Sequence, residues 1–149
     1  MAQELISIGV SGVDSFQKFA KELSSILDND RVADEAGAIL LDRIRKRFLE
    51  ETDPDGRKWP ESKAAQRRKR QGKGGGTLYD TGTLWRSIQL FARGAGIRAI
   101  GTDVPYAKKH QYGLDGMEKR VFLGFSDDDV DLVEALIQKR IADARRRLK

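Results

Sequence analysis

Ile88-Gln-Leu-Phe-Ala-Arg-Gly-Ala-Gly-Ile-Arg-Ala-Ile-Gly-Thr102 takes this chain out of the all-helical class. Ile88, Leu90 and Ala92 alternate with other residues, a two-residue period that suits a half-buried strand and not a helix. Arg93-Gly-Ala-Gly96 supplies a turn, and Ile97 to Thr102 returns, so the stretch predicts an antiparallel β-hairpin. Downstream, Pro105-Tyr-Ala-Lys-Lys-His-Gln-Tyr112 predicts a short helix with proline near its first turn and Gly113 as its stop. Arg120-Val-Phe-Leu-Gly124 predicts a last strand. Ser126-Asp-Asp-Asp129 then caps a long terminal helix whose buried stripe is Val130, Val133, Ile137, Ile141, Ala144 and Leu148.

Upstream of the hairpin, Leu78-Tyr-Asp-Thr-Gly-Thr-Leu-Trp-Arg-Ser-Ile88 reads as a turn feeding one helical turn, capped by Thr81 or Thr83. Further back, Val32, Ala36, Ile39, Leu40, Ile44 and Phe48 recur on one face of a long helix. That helix must stop near Thr52, because Asp53 precedes a proline. Phe16, Phe19, Leu23, Ile26 and Leu27 give an earlier helix, and Ile6, Ile8 and Val10 a short opening strand. The fold class expected is α+β: a small antiparallel sheet packed against two or three long helices, with a long flexible basic loop in the middle.

That loop is the chemical anomaly of the chain. Between Arg57 and Lys73 lie eight basic residues (Arg57, Lys58, Lys63, Arg67, Arg68, Lys69, Arg70, Lys73) and one acid, Glu61, in a protein whose net charge is +5. The rest of the chain is therefore slightly acidic, and the basicity is local. With Gly72-Lys-Gly-Gly-Gly76 behind it, the segment at about 57–77 is expected to stay flexible until a partner neutralises it. It reads either as a solvated loop or as a polyanion-binding one whose affinity would come from counterion release. Trp59 and Trp85 flank it and read as anchors to the core.

Bulk composition sets the outer limits. One domain spanning 1–149 is expected of 149 residues, with 39% apolar and 34% charged. That is slightly lean in apolar material, so part of the stability is expected from an oligomer interface. No run approaches the about 20 apolar residues of a membrane helix. The opening Met-Ala-Gln-Glu-Leu does not read as a secretory signal, and assembly in a cytoplasm is expected. Zero cysteines exclude a disulfide framework and a thiolate zinc site.

Catalytic chemistry finds little purchase. The single histidine, His110, stands beside Lys108 and Lys109 with no orienting carboxylate near it in sequence. Asp53-Pro-Asp-Gly56 lacks the further ligands of a calcium loop and reads as a turn. Asp127-Asp-Asp129 reads as helix capping, and Gly72–Gly76 ends in no Lys-Ser/Thr that would make it a phosphate loop. No enzyme activity, metal or cofactor is expected.

The motifs taken in order are more telling than any one of them. Phe48 is followed by Asp53-Pro-Asp-Gly-Arg-Lys-Trp-Pro60, a basic spacer, Leu78–Ile88, Ile100-Gly-Thr-Asp-Val-Pro-Tyr-Ala-Lys-Lys-His-Gln-Tyr-Gly113 and Arg120-Val-Phe-Leu-Gly-Phe-Ser126. Over roughly 35–140 this pattern resembles the phage virion morphogenesis family, the Mu G-like tail completion and head–tail joining proteins. The resemblance implies a structural role in a bacteriophage or prophage: tail completion, or joining of head to tail at the neck. It implies a homo-oligomeric ring, a hexamer being expected, that meets tail-tube, terminator, neck or connector proteins. It implies a place in the virion tail or neck, possible contact of the basic loop with packaged DNA, and no membrane. The positions that carry it are Asp53, Gly56, Trp59, Gly82, Leu84, Trp85, Tyr106, His110, Gln111 and Gly113, expected to be structural or subunit contacts. The alternative class is a small sequence-nonspecific nucleic-acid-binding protein using Arg67 to Arg70.

Overall fold

The computed structural model describes residues 28–147, so the expected opening strand, the helix ending at Leu27 and the stripe residue Leu148 lie outside the described residues. Two long helices carry the architecture. Helix α1 (Asn29–Glu50) opens on Asp28, whose carboxylate accepts the Arg31 N–H at 3.1 Å. It closes on Glu51, held in the left-handed region at φ 58°. The turn expected from Asp53-Pro-Asp-Gly follows, with Gly56 at φ 82°.

Helix α2 (Lys63–Arg70) comes next, where the sequence predicts a flexible loop. The reason lies in its own residues. Ala64, Ala65, Gln66, Arg67, Arg68, Lys69 and Arg70 are good helix formers, and cations in the last turn suit the negative end of the helix dipole. Ser62 caps the start, accepting from the Ala65 N–H and donating to the Thr77 carbonyl, each at 3.1 Å. Charge density alone suggests disorder; the cap and the helix propensity reverse that reading for these eight residues.

A single-turn helix α3 (Thr83–Ser87) leads into the hairpin β1 (Gln89–Gly94) and β2 (Ile97–Gly101). Gly82 at φ 80° is the N-cap of α3, rather than Thr81 or Thr83, whose hydroxyls bond each other at 2.8 Å instead. The strands pair antiparallel, with a bulge between Ala92 and Gly94. Leu90 lies over Gly37 of α1, where a Cβ would fall 2.5 Å from the leucine. Arg98 reaches back to Asp34 at 2.5 Å and Asp30 at 3.2 Å, so the hairpin is tied to the start of α1 by charge as well as by packing.

Helix α4 (Ala107–Tyr112) ends on Gly113 at φ 68°, as expected. The predicted last strand at Arg120–Gly124 does not form. No strand among the described residues pairs with it, and Gln111 takes the place of one. The Gln111 Oε1 accepts the Phe122 and Leu123 N–H groups at 3.0 Å each, and Nε2 donates to the Leu123 carbonyl at 2.8 Å. Helix α5 (Asp127–Arg147) then runs back along α1. Val130 is exposed rather than buried, because Asp129 takes the inward position at this turn.

Candidate functional site

The family-pattern positions converge on one place, the C-terminal half of α1. Ile44 and Phe48 are enclosed there by Trp59, Leu84, Ile88, Ala107, Phe122 and Leu123. Trp59 and Phe122 meet the Phe48 ring edge to face, at 5.4 and 5.8 Å between centroids. The Trp59 indole N–H donates to the Val121 carbonyl at 3.0 Å, satisfying its one polar atom. Asp53 fixes the approach to it, accepting the Arg57 N–H at 2.8 Å, and the Thr52–Lys58 bridge closes the turn. Trp85 is half-buried on the other side of α1. It donates to the Arg45 carbonyl at 3.2 Å, with the Arg45 guanidinium 5.5 Å over its ring. Both tryptophans are anchors, as the sequence suggests.

Gly82 sits where a Cβ would come within 2.8 Å of Arg86 and 3.0 Å of Tyr79, and Gly113 where one would meet the Lys119 backbone at 3.0 Å. His110 is half-buried. Its carbonyl accepts the Arg120 N–H at 2.7 Å, and its Nδ1 is enclosed without a partner. Burial first, and then the Arg120 charge, hold its pKa below the usual 6.5. Around it the surface turns apolar: Tyr106, Tyr112, Leu114 and Met117 are all exposed, on α4 and the segment after it. Tyr106 stands edge to face against His110 at 6.2 Å.

The basic residues divide into two groups. Arg68 turns inward, donating to the Gly76 carbonyl at 2.6 Å and pairing with Asp80 at 3.6 Å. Lys58 donates to the Glu50 carbonyl at 2.6 Å, and Arg57 pairs with Asp55 at 3.6 Å. Lys63, Arg67, Lys69, Arg70 and Lys73 are exposed and take part in no ion pair among the described residues.

One cluster has no counterpart in the sequence reading. The Asp129 side chain is fully buried between Arg43 and Arg47 of α1, bonding the first and accepting from the second at 2.7 Å. It also accepts the Ser126 N–H at 2.8 Å, while Ser126 Oγ accepts the Asp129 N–H at 3.3 Å, a reciprocal cap. Burial pushes its pKa up, but the Ser126 N–H and the two guanidinium groups outweigh that and hold it below the usual 3.8. The signal was present: a Ser-x-x-Asp cap in α5, and two arginines four apart flanking Ile44 and Phe48 in α1.

Among the described residues no group of His, Asp and Glu is arranged to hold a metal ion, and no helix is long and apolar enough to cross a membrane. What the converging residues build is a closed core, with an exposed basic helix and exposed apolar side chains outside it. The model of the phage virion morphogenesis family matches residues 13–142, and the chain belongs to that family. Comparison with the curated proteins and with the solved structures gave no match. The role that follows at this level is in phage structure and assembly, as a virion-associated protein.

Proposed function

We propose that the protein completes the phage tail or joins head to tail, working without catalysis as a homo-oligomeric ring at the tail end or in the neck. A hexamer is expected, docked on tail-tube, terminator, neck or connector proteins and assembled in the bacterial cytoplasm. The observation that carries this reading is the family match across residues 13–142. Two structural features support it. The family-pattern residues Trp59, Leu84 and Gln111 are spent on the core and its closure, not on a reactive site. Tyr106, Tyr112, Leu114 and Met117 leave apolar surface beside α4, suited to meeting a neighbouring subunit or partner protein.

Deleting the gene from the phage or prophage that encodes it should yield separate heads and tails, or unfinished tails, by electron microscopy. Fully joined infectious particles would overturn the reading. Native mass measurement of the purified chain should show a closed oligomer whose population rises with concentration. Tyr112→Asp combined with Met117→Asp should shift it towards monomer.

A further inference from the structure

We infer that α2 is a binding face for the phosphate backbone of duplex DNA, read without regard to sequence, whether or not the protein works as a ring. The helix is split by side. Ala65 is buried and Arg68 is fastened to Gly76 and Asp80, so one side is committed to the protein. Lys63, Arg67 and Arg70 stand at i, i+4 and i+7, which places them within about 60° of one another on the side away from Ala65. At 1.5 Å per residue they span about 10 Å along the axis, and a DNA strand with 3.4 Å per phosphate presents about three phosphates over that length. Counted along the duplex axis, the number of cations therefore matches the number of phosphates, at a mean axial spacing of about 5 Å against about 3.4 Å.

Order matters as much as charge. The Ser62 cap, the Ser62–Thr77 bond and the Arg68 fastening hold the helix before any ligand arrives, so the backbone entropy of presenting these cations is already spent in folding. Lys73, exposed just past the helix, extends the cationic run. The nearest acid in sequence, Glu61, precedes the cap and lies off the helix. The exposed cations of α2 suit phosphate oxygens, and no acid on the helix opposes them; equal binding of unrelated sequences is what separates this backbone contact from base reading by Arg or Gln side chains.

The test is fluorescence anisotropy of the full chain with two labelled duplexes of unrelated sequence, across a salt series. Wild type should bind both equally. K63Q/R67Q/R70Q should bind more weakly, with the log–log salt slope flattened by about 2.7, so that wild type loses about 40-fold more affinity than the variant between about 50 and 200 mM salt. R67Q or R70Q alone should each flatten the slope by about 0.9. R145Q/R146Q/R147Q removes equal charge from the exposed end of α5 and should leave the slope nearly unchanged. Circular dichroism should show every variant folded, the mutated side chains being exposed.

Four results overturn the inference: no binding by wild type at the low-salt end, an unchanged slope in the α2 variants, equal loss in the two triple variants, or a preference for one sequence. A fifth does so in favour of an acidic protein partner: polyglutamate displacing the chain as well as DNA does at equal charge concentration. None of these bears on whether the chain forms a ring, which native mass reads separately.

Discussion

Helix α1 serves two cores of different build. Its C-terminal half enters an aromatic hub, where Ile44 and Phe48 are 1% exposed and the six enclosing residues come from four separate short segments of the chain. Its N-terminal half makes an aliphatic seam with α5, where Val32, Ala36 and Leu40 remain partly exposed against Val133, Ile137 and Ile141. The hub gains from large rings fully removed from water and from satisfied polar edges, such as the Trp59 indole and the Gln111 amide. The seam gains from two faces of aliphatic side chains and from the Arg140–Glu35 ion pair that joins the helices at 2.7 Å. Between them sits Asp129, fixing the start of α5 against Arg43 and Arg47. Trp59 and Leu84 of the family pattern lie in the hub, and Gln111 binds the Phe122–Leu123 backbone beside it, while the pairing of the two long helices is carried by the seam.

Breaking the hub should therefore cost most. Phe48→Ala removes the ring on which Trp59 and Phe122 both rest, and should lower unfolding free energy in urea by about 4 kcal/mol. A loss near that of a seam substitution would say the two cores do not differ in kind. Next comes the junction. Asp129→Ala removes the buried partner of Arg47, which is 11% exposed, and of the more exposed Arg43, and should cost about 3 kcal/mol. Because the folded pKa of Asp129 lies below its ordinary 3.8, its contribution is complete above that value and is lost as pH falls through the lower one. Asp129→Asn should accordingly flatten the acid limb of the stability profile; an acid limb identical to wild type would remove Asp129 from that role. The seam should yield least of the three: Ile137→Ala, at about 2 kcal/mol, should leave tryptophan fluorescence unchanged because neither indole belongs to the seam.

The same contrast explains what the sequence made legible. The seam and both long helices are periodic, and the hairpin alternates around a glycine turn, so their elements could be read from spacing. The hub could not be read that way, because its members are single residues in irregular segments: Trp59 after a turn, Leu84 in one helical turn, and Gln111 on a six-residue helix. Only the ordered run of motifs pointed to them. The segment at 120–124 reads as a strand because it is apolar, but its partner is a side-chain amide, which no period reveals. The basic segment departs in the opposite sense: its composition suggests disorder, while Ser62 followed by Lys63 and two alanines signals a capped helix. In sequence Asp129 reads as one of three capping acids, and only tertiary packing decides which of three adjacent aspartates turns inward.

The smallest expected effect lies at the rim of the hub, and it is a matter of pH. His110 is the one histidine in the chain, so titration near its ordinary pKa of 6.5 can be assigned without competition from another imidazole. Charging it is disfavoured by burial and by the Arg120 guanidinium, while the Tyr106 ring stands edge-on and offers no carboxylate. The folded pKa therefore lies below 6.5, and the unfolded chain takes up the proton first. Stability is then fully present above pH 6.5 and declines as pH falls from there towards the folded value. His110→Phe keeps a planar ring in the site but cannot titrate. Urea midpoints measured above and below pH 6.5 should differ for wild type and coincide for the variant; a variant that keeps the wild-type difference would place the titrating group elsewhere. Because α4 carries both this histidine and the exposed Tyr106 and Tyr112, the same decline should appear as weaker docking of α4 on Arg120 while the α1–α5 seam is unaffected. Hydrogen exchange at the Arg120 N–H, the donor to the His110 carbonyl, would rise on acidification ahead of the amides of α5.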